Sequence, residues 1–250
     1  MTGDGTLIVT GATGGVGAAL ARRAARDGWD VVLGWHARRE AAEDLARSIA
    51  EASGRHTLAV RLPLDEPDGI EAGLDEVEAL GRPVRALALC AAPAPEVGPF
   101  ARASAGRFRA QFEAAVVGNH RLMAECWRRF FRRQGGGHVV AVLSAALGPP
   151  AAPHMVPYVA AKGALAALLE AAAAELGPAG LRVGAASPGY IETGMLSAFD
   201  ARMLDRVRER SPGGRFLDAD EVAAALADSL AAPPEPGRVH PIAIPEPVTT

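Results

Sequence analysis

The sequence predicts an α/β fold: a single-domain, doubly wound parallel sheet with helices on both faces, spanning residues 1–250. Three observations carry that expectation. Short apolar runs alternate with helix-periodic stretches along the chain, which is the pattern of βαβ units with right-handed crossovers. The first run opens directly into a glycine cluster, as at the first βα turn of such sheets. A length of 250 residues with 49% apolar and 22% charged residues fits a soluble globular chain and excludes a disordered or collagen-like one.

The elements follow in order. Residues 6–10, Thr-Leu-Ile-Val-Thr, are an apolar run that reads as a buried strand. Helical periodicity covers 16–28, and 29–33, Trp-Asp-Val-Val-Leu, is the second strand. A helix over 41–52 and a strand over 56–62 come next, then a helix over 69–80 and a strand over 84–89. Residues 101–133 form a long helical stretch that holds a break and ends at Gly135-Gly136-Gly137. A strand over 138–143, a helix over 158–176, a strand over 181–186 and a helix over 219–231 complete the alternation. The Pro-rich tail, 233–250, holds a last short strand over 239–244 and a loose end. There is no linker and no solenoid-period repeat.

Charge and cysteine content narrow the function classes. The net charge of −3 provides no basic field for nucleic acid. Two cysteines, Cys90 and Cys126, are too few for a disulfide scaffold or a cysteine-rich metal site, and no metal is expected. No apolar run reaches membrane-span length, and the first five residues lack the pattern of a signal peptide, so a cytoplasmic protein is expected. Of the 26 basic residues only Lys162 is lysine. In an arginine-dominated chain, a surviving lysine marks a position that requires a compact ammonium rather than a planar fork.

The glycine cluster is Thr10-Gly11-Ala12-Thr13-Gly14-Gly15-Val16-Gly17. Glycines there let the backbone turn sharply and approach a pyrophosphate at the helix N-terminus, so Gly11, Thr13, Gly15, Val16 and Gly17 are candidate dinucleotide contacts. An acid at the end of the second strand would bind the ribose hydroxyls of NAD. Here the strand runs into Trp35-His36-Ala37-Arg38-Arg39, with no acid before Glu40. His36, Arg38 and Arg39 suit a 2′-phosphate, so NADP(H) is the expected cofactor.

Tyr158-Val159-Ala160-Ala161-Lys162 places a phenol and the single lysine four residues apart, on one face of a helix. A neighbouring cation lowers a phenol from its ordinary value of about 10, which fits Tyr158 for acid–base work. Ser144, at the end of a strand, is placed to hydrogen-bond the same carbonyl oxygen.

With these pieces in view, the sequence resembles the short-chain dehydrogenase/reductase family, most closely the 3-oxoacyl-carrier-protein reductases and related ketoreductases. The likeness runs from about Thr6 to Val239 and includes Pro188-Gly189-Tyr190-Ile191-Glu192-Thr193. It implies a Rossmann-type sheet, with Tyr158 as proton donor, Lys162 on the nicotinamide ribose and tuning Tyr158, and Ser144 orienting the carbonyl. Pro188, Gly189, Ile191 and Thr193 would hold the carboxamide, and Leu64, Asp65 and Ala91 would flank the adenosine and ribose. Residues 194–210 correspond to a substrate lid, with Met195, Leu196 and Phe199 as an apolar wall or as packing. Relatives pair the long helix and the Ala-rich helix of 160–174 across subunits, which implies a homodimer or homotetramer.

The sequence departs from the family in four places. Leu89-Cys90-Ala91-Ala92 stands for Asn-Asn-Ala-Gly, Pro63-Leu64-Asp65 shifts the usual acid, and Ile244-Pro245-Glu246-Pro247 replaces a C-terminal Asp-Gly-Gly. By spacing, Ala115 falls where relatives carry an Asn that holds a water on the proton path to the lysine. Asn119, one turn on, is the match only if the helix contains an irregular turn. Two further features stay open. His154 faces either substrate or solvent, and the 128–133 cluster of arginines is either a solvated helix end or a dock for an acidic carrier protein. Cys90 reads as a small buried hydrophobe.

Three functions compete. The first is an NADPH-dependent ketoreductase acting on a 3-oxoacyl thioester or polyketide-like ketone, free or bound to a carrier protein. The second, motivated by Ala115 and the altered 89–92 motif, is a weakly active or inactive cofactor-binding subunit of a hetero-oligomer with a second reductase-like chain. The third is a non-redox dehydration or cyclisation with Tyr158 as base.

Overall fold

The computed structural model describes residues 5–245. Seven strands form one parallel sheet: β1 (Thr6–Val9), β2 (Asp30–Trp35), β3 (Thr57–Arg61), β4 (Val84–Leu89), β5 (Gly137–Val142), β6 (Leu181–Ala186) and β7 (Val239–Ile242). Their order is β3-β2-β1-β4-β5-β6-β7, so the winding reverses between β1 and β4. The helices are α1 (Gly15–Arg26), α2 (Arg39–Ser53), α3 (Pro67–Ala79), α4 (Ala105–Phe112), α5 (Asn119–Cys126), α6 (Val156–Leu176), α7 (Ala201–Arg210) and α8 (Ala219–Ala231).

Both faces of the sheet are buried, and its strands alternate between two cores. Ile8, Val32, Leu87, Leu89 and Val139 point toward α3, α5 and α6, against Ile70, Leu122 and Leu165. Leu7, Val9, Val31, Leu33 and Val140 point toward α1, α2 and α8, against Leu20, Ile49 and Leu226. The single-residue offset sends neighbouring apolar side chains to opposite helical layers, which is why the strands read as continuous apolar runs.

The break expected within 101–133 consists of two π turns, Glu113–Gly118 and Trp127–Phe131, on either side of α5. Gly118 sits in the first, where an added Cβ would strike the Leu64 carbonyl, so the helix passes against the segment after β3 at contact distance. The last strand stops at Ile242, two residues short of the expected end. The tail residues Glu246 and Pro247, and the expected loose end of the chain, lie outside the described residues.

Candidate active site

The carboxyl ends of β1, β4 and β5 open into a cleft of about 1230 Å³ at the point where the winding reverses. Doubly wound sheets bind their ligands there. Thr10, 1% exposed, ties the floor together: its hydroxyl donates to Ala88 O (3.2 Å) and accepts from Cys90 N (3.1 Å) and Ala91 N (3.2 Å). That fixes β1 against the start of the β4 loop and lets the 89–92 segment do without side-chain amides.

The glycine loop is shaped as a cradle. Gly11 has φ +63°, and an added Cβ would lie 2.8 Å from Ala91 Cα. At Gly17 a Cβ would strike the Gly11 carbonyl, and at Gly15 it would strike Thr193 Cγ2. No side chain caps the N-terminus of α1, and its first turn holds no acid. Its amide donors and positive dipole end therefore face the cleft unspent, which fits a pyrophosphate.

At the end of β2, His36 and Arg38 line the cleft, as do Trp35 and Asp65. His36 Nε2 lies 3.5 Å from Asp65 Oδ1 and 3.9 Å from Glu66 Oε1, while Glu66 is held bidentately by Arg61. Arg39 does not join this group. It turns away along α2 and pairs with Glu43 (2.7 Å), so its guanidinium lies outside the cleft. The i,i+4 acid on its own helix takes the charge that the sequence reading assigned to a phosphate.

Ser144, Tyr158 and Lys162 come together on the other side. Ser144 lies two residues beyond β5; its hydroxyl accepts from Ala146 N (3.2 Å) and neighbours Tyr158 closely enough to favour its ionised form. Tyr158 and Lys162 lie one turn apart on α6, the ammonium 5.9 Å from the ring centroid. Lys162, 3% exposed, donates to Val142 O at 2.6 Å, and burial lowers it to about 8. The expected lowering of the Tyr158 phenol is corrected: burial raises it, the neighbouring Ser144 hydroxyl only partly opposes this, and Tyr190 raises it further. The ammonium is directed to a carbonyl rather than to the phenol oxygen, so Tyr158 stays protonated at neutral pH.

The remaining predicted contacts, Leu64, Ala91, Pro188, Gly189, Ile191 and Thr193, all line the cleft. Ala115 and Asn119 do not. Both are buried at the first π turn, and Asn119 Nδ2 donates to Ala115 O (3.0 Å). The irregular turn is present, yet Asn119 spends its amide on the carbonyl of its own helix. His154 is exposed, with φ +65°, and lies off the cleft wall. In the arginine cluster, Arg128 and Arg129 pair with Glu125, and Arg129 also with Asp75 and Glu78, which removes half of the expected basic patch. Cys90 is pushed up to about 12 by burial, as befits an inert thiol.

Several cleft residues escaped the sequence reading. Tyr190 packs edge-on to Phe199 and stacks on Phe216, each at 5.5 Å, and Arg208 lies 4.6 Å above Phe216. This aromatic group anchors α7 and the residues 194–198 over the cleft. In the sequence Phe199 reads as wall or packing and Tyr190 as part of the Pro-Gly motif, while Phe216 and Arg208 carry no signal. Arg109 and Glu113, on the helix opposite, gave no signal.

Comparison with known proteins agrees with this geometry. A profile of the family described as enoyl-(acyl carrier protein) reductase matches residues 11–232. The cis-4-hydroxycyclohexanecarboxylate dehydrogenase of Sinomonas cyclohexanicum is 33% identical over 88% of this chain and 86% of its own. The 3-ketoacyl-(acyl-carrier-protein) reductase of Brucella melitensis, solved with NADH, superposes with TM-score 0.85 at 26% identity, covering 97% of this chain and 98% of its own. A short chain dehydrogenase from Burkholderia cenocepacia, solved with NADP, gives 0.84 at 28% identity, covering 96% and 97%. Among the described residues no helix is long and apolar enough to cross a membrane.

Proposed function

The chain belongs to the short-chain dehydrogenase/reductase family, and from that premise we propose that it is an oxidoreductase interconverting a ketone and a secondary alcohol, with NADP(H) as the preferred cofactor. The observation that carries the reading is the convergence of Ser144, Tyr158 and the single lysine on the cleft that also holds the glycine cradle. A site kept only for cofactor binding has no need of a protonated phenol beside a serine hydroxyl.

The glycine loop and the α1 N-terminus would hold the pyrophosphate, His36 and Arg38 the adenosine phosphate, and Lys162, Pro188, Gly189, Ile191 and Thr193 the nicotinamide end. When bound, the nicotinamide supplies or takes up the hydride. The chain's own residues handle the proton and the orientation. Ser144 fixes the substrate oxygen through its hydroxyl, and its bond from Ala146 N leaves that hydroxyl free to donate. Tyr158, held protonated by burial, donates its phenolic proton to the carbonyl oxygen in reduction and takes it back from the alcohol in oxidation. The Lys162 charge, 5.9 Å from the Tyr158 ring centroid, offsets the phenolate charge across the site without a direct hydrogen bond to it. The wall of Met155, Met195, Leu196 and Phe199 excludes water from the reacting carbon.

This apolar half of the cleft suits a 3-oxoacyl thioester or polyketide-like ketone. A second reading, a cyclic hydroxy acid, is favoured by the 33% identity with the hydroxycyclohexanecarboxylate dehydrogenase. The direct test follows nicotinamide absorbance with NADPH and NADH against 3-oxoacyl thioesters and keto acids. Turnover with a several-fold lower Kd for NADPH supports the proposal. Tight binding of either cofactor without turnover on any ketone overturns it and points to a supporting subunit or a non-redox reaction. Gel filtration with static light scattering tests the accompanying proposal of a homodimer or homotetramer.

A further inference from the structure

Two polar side chains on one face of α4, Arg107 and Gln111, hold the loop that follows β4. Arg107 is ion-paired with Glu96, and Gln111 Nε2 donates to Ala94 O at 2.9 Å. Arg109, between them, lines the cleft and has no hydrogen-bond or ion-pair partner among the described residues. Arg109 is exposed there, and the apolar Ala92, Pro93, Pro95, Met155, Leu196 and Phe199 line the same cleft. Glu113, one turn further along the helix, also lines the cleft and does not pair with Arg109.

We infer that Arg109 recognises an anionic group on the substrate, at the end remote from the reacting carbonyl. The inference rests on the ketone–alcohol reading above and adds the substrate's charge class. A guanidinium presents a planar fork that matches a carboxylate or a phosphate with two parallel hydrogen bonds. Arg109 is exposed at the cleft, so water screens such a pair and keeps its worth modest. Without it, this half of the cleft would prefer neutral ketones. With it, an anionic ketone is favoured over its neutral counterpart by up to about fivefold, the worth of one solvent-exposed ion pair. Glu113 repels the same anion if it slides along the helix, which fixes one register for the bound substrate. The anion is either the carboxylate of a small keto acid or a phosphate on the arm of a thioester.

The test compares the natural protein with Arg109→Gln and Arg109→Lys, all saturated with cofactor, on two substrate pairs. The first pair is 4-oxocyclohexanecarboxylate and its methyl ester. The second is acetoacetyl-coenzyme A and the acetoacetyl thioester of N-acetylcysteamine, which lacks the phosphates. The natural protein should favour the charged member of one pair by up to about fivefold in kcat/KM, carried by KM. Arg109→Gln should bring that ratio to near one, and Arg109→Lys should restore part of it. Which pair responds identifies the anion. Equal ratios in the natural protein and Arg109→Gln on both pairs would overturn the inference while leaving the redox reading intact. The thermal shift produced by cyclohexanecarboxylate on the cofactor-loaded protein separates the opposite failure. A shift lost in Arg109→Gln, with no ketone turned over by any form, would keep the anion site and overturn the redox reading.

Discussion

His138 lies on β5, 5% exposed, with neither ring nitrogen hydrogen-bonded, and pairs in register with Arg182 on β6. Burial, aided by the Arg182 charge, lowers it from 6.5 to about 4. A base whose folded value is lowered must stay neutral in the native state. Its stability contribution is complete above the unfolded value and is lost as pH falls toward the folded one. The window therefore lies between about 6.5 and about 4. At about 1.4 kcal/mol per pH unit, the loss assigned to this residue between pH 7 and pH 4.5 is on the order of 2–3 kcal/mol. His138→Leu keeps a side chain of similar size and removes both unpartnered nitrogens. Urea unfolding at the two pH values should show the natural protein losing on the order of 2–3 kcal/mol more than the variant. Parallel losses in the two proteins would show instead that His138 finds a partner or water on protonation.

The remaining predictions concern the frame of the cleft and the proton donor's neighbour. Asp30, 5% exposed, accepts from Arg82 (2.7 Å), Arg55 (3.1 Å) and His56 N (3.1 Å), so Asp30→Ala should cost about 2–4 kcal/mol in urea unfolding. Gly17→Ala drives a Cβ into the Gly11 carbonyl, so it should weaken dinucleotide binding by at least tenfold, about 1.4 kcal/mol, as measured by fluorescence titration. Lys162→Arg cannot fit a planar fork where a buried ammonium donates to Val142 O at 2.6 Å, and ketone turnover should fall by about a hundredfold or more while the strands still fold. Wild-type turnover in Lys162→Arg would show that any cation at this position suffices.

What was legible in the sequence is what local pattern controls. β4, β6 and α8 fall on their expected residues because apolar runs and helical periodicity set them without help from distant contacts. The glycine loop was legible because only glycine fits where Gly11 and Gly17 approach neighbouring backbone. Three features were not. The two π turns in the long helix depend on how it passes Leu64 and the sheet, which no i,i+4 pattern records. The side-chain direction of Arg39 was decided by Glu43 rather than by the cofactor cleft. The raised phenol of Tyr158 depends on burial, and its spacing to Lys162 says only that the two share a face, not that the ammonium points to Val142 O. The second half of the lid, α7, was placed only by likeness; its fixing group of Tyr190, Phe199, Phe216 and Arg208 is assembled from three separate loops and a helix.

Tyr158 is the residue on which the account depends most. With the phenol protonated in its buried position and oriented by Ser144, the account makes it the sole proton donor to the substrate oxygen. The most direct measurement pairs ketone turnover with cofactor affinity in the natural protein and in Tyr158→Phe, which removes one oxygen and keeps the ring. Turnover in Tyr158→Phe should fall by about 10²–10⁴-fold, with cofactor Kd within a few-fold of the natural protein. Turnover that survives in Tyr158→Phe within a few-fold would contradict the role of Tyr158 as proton donor.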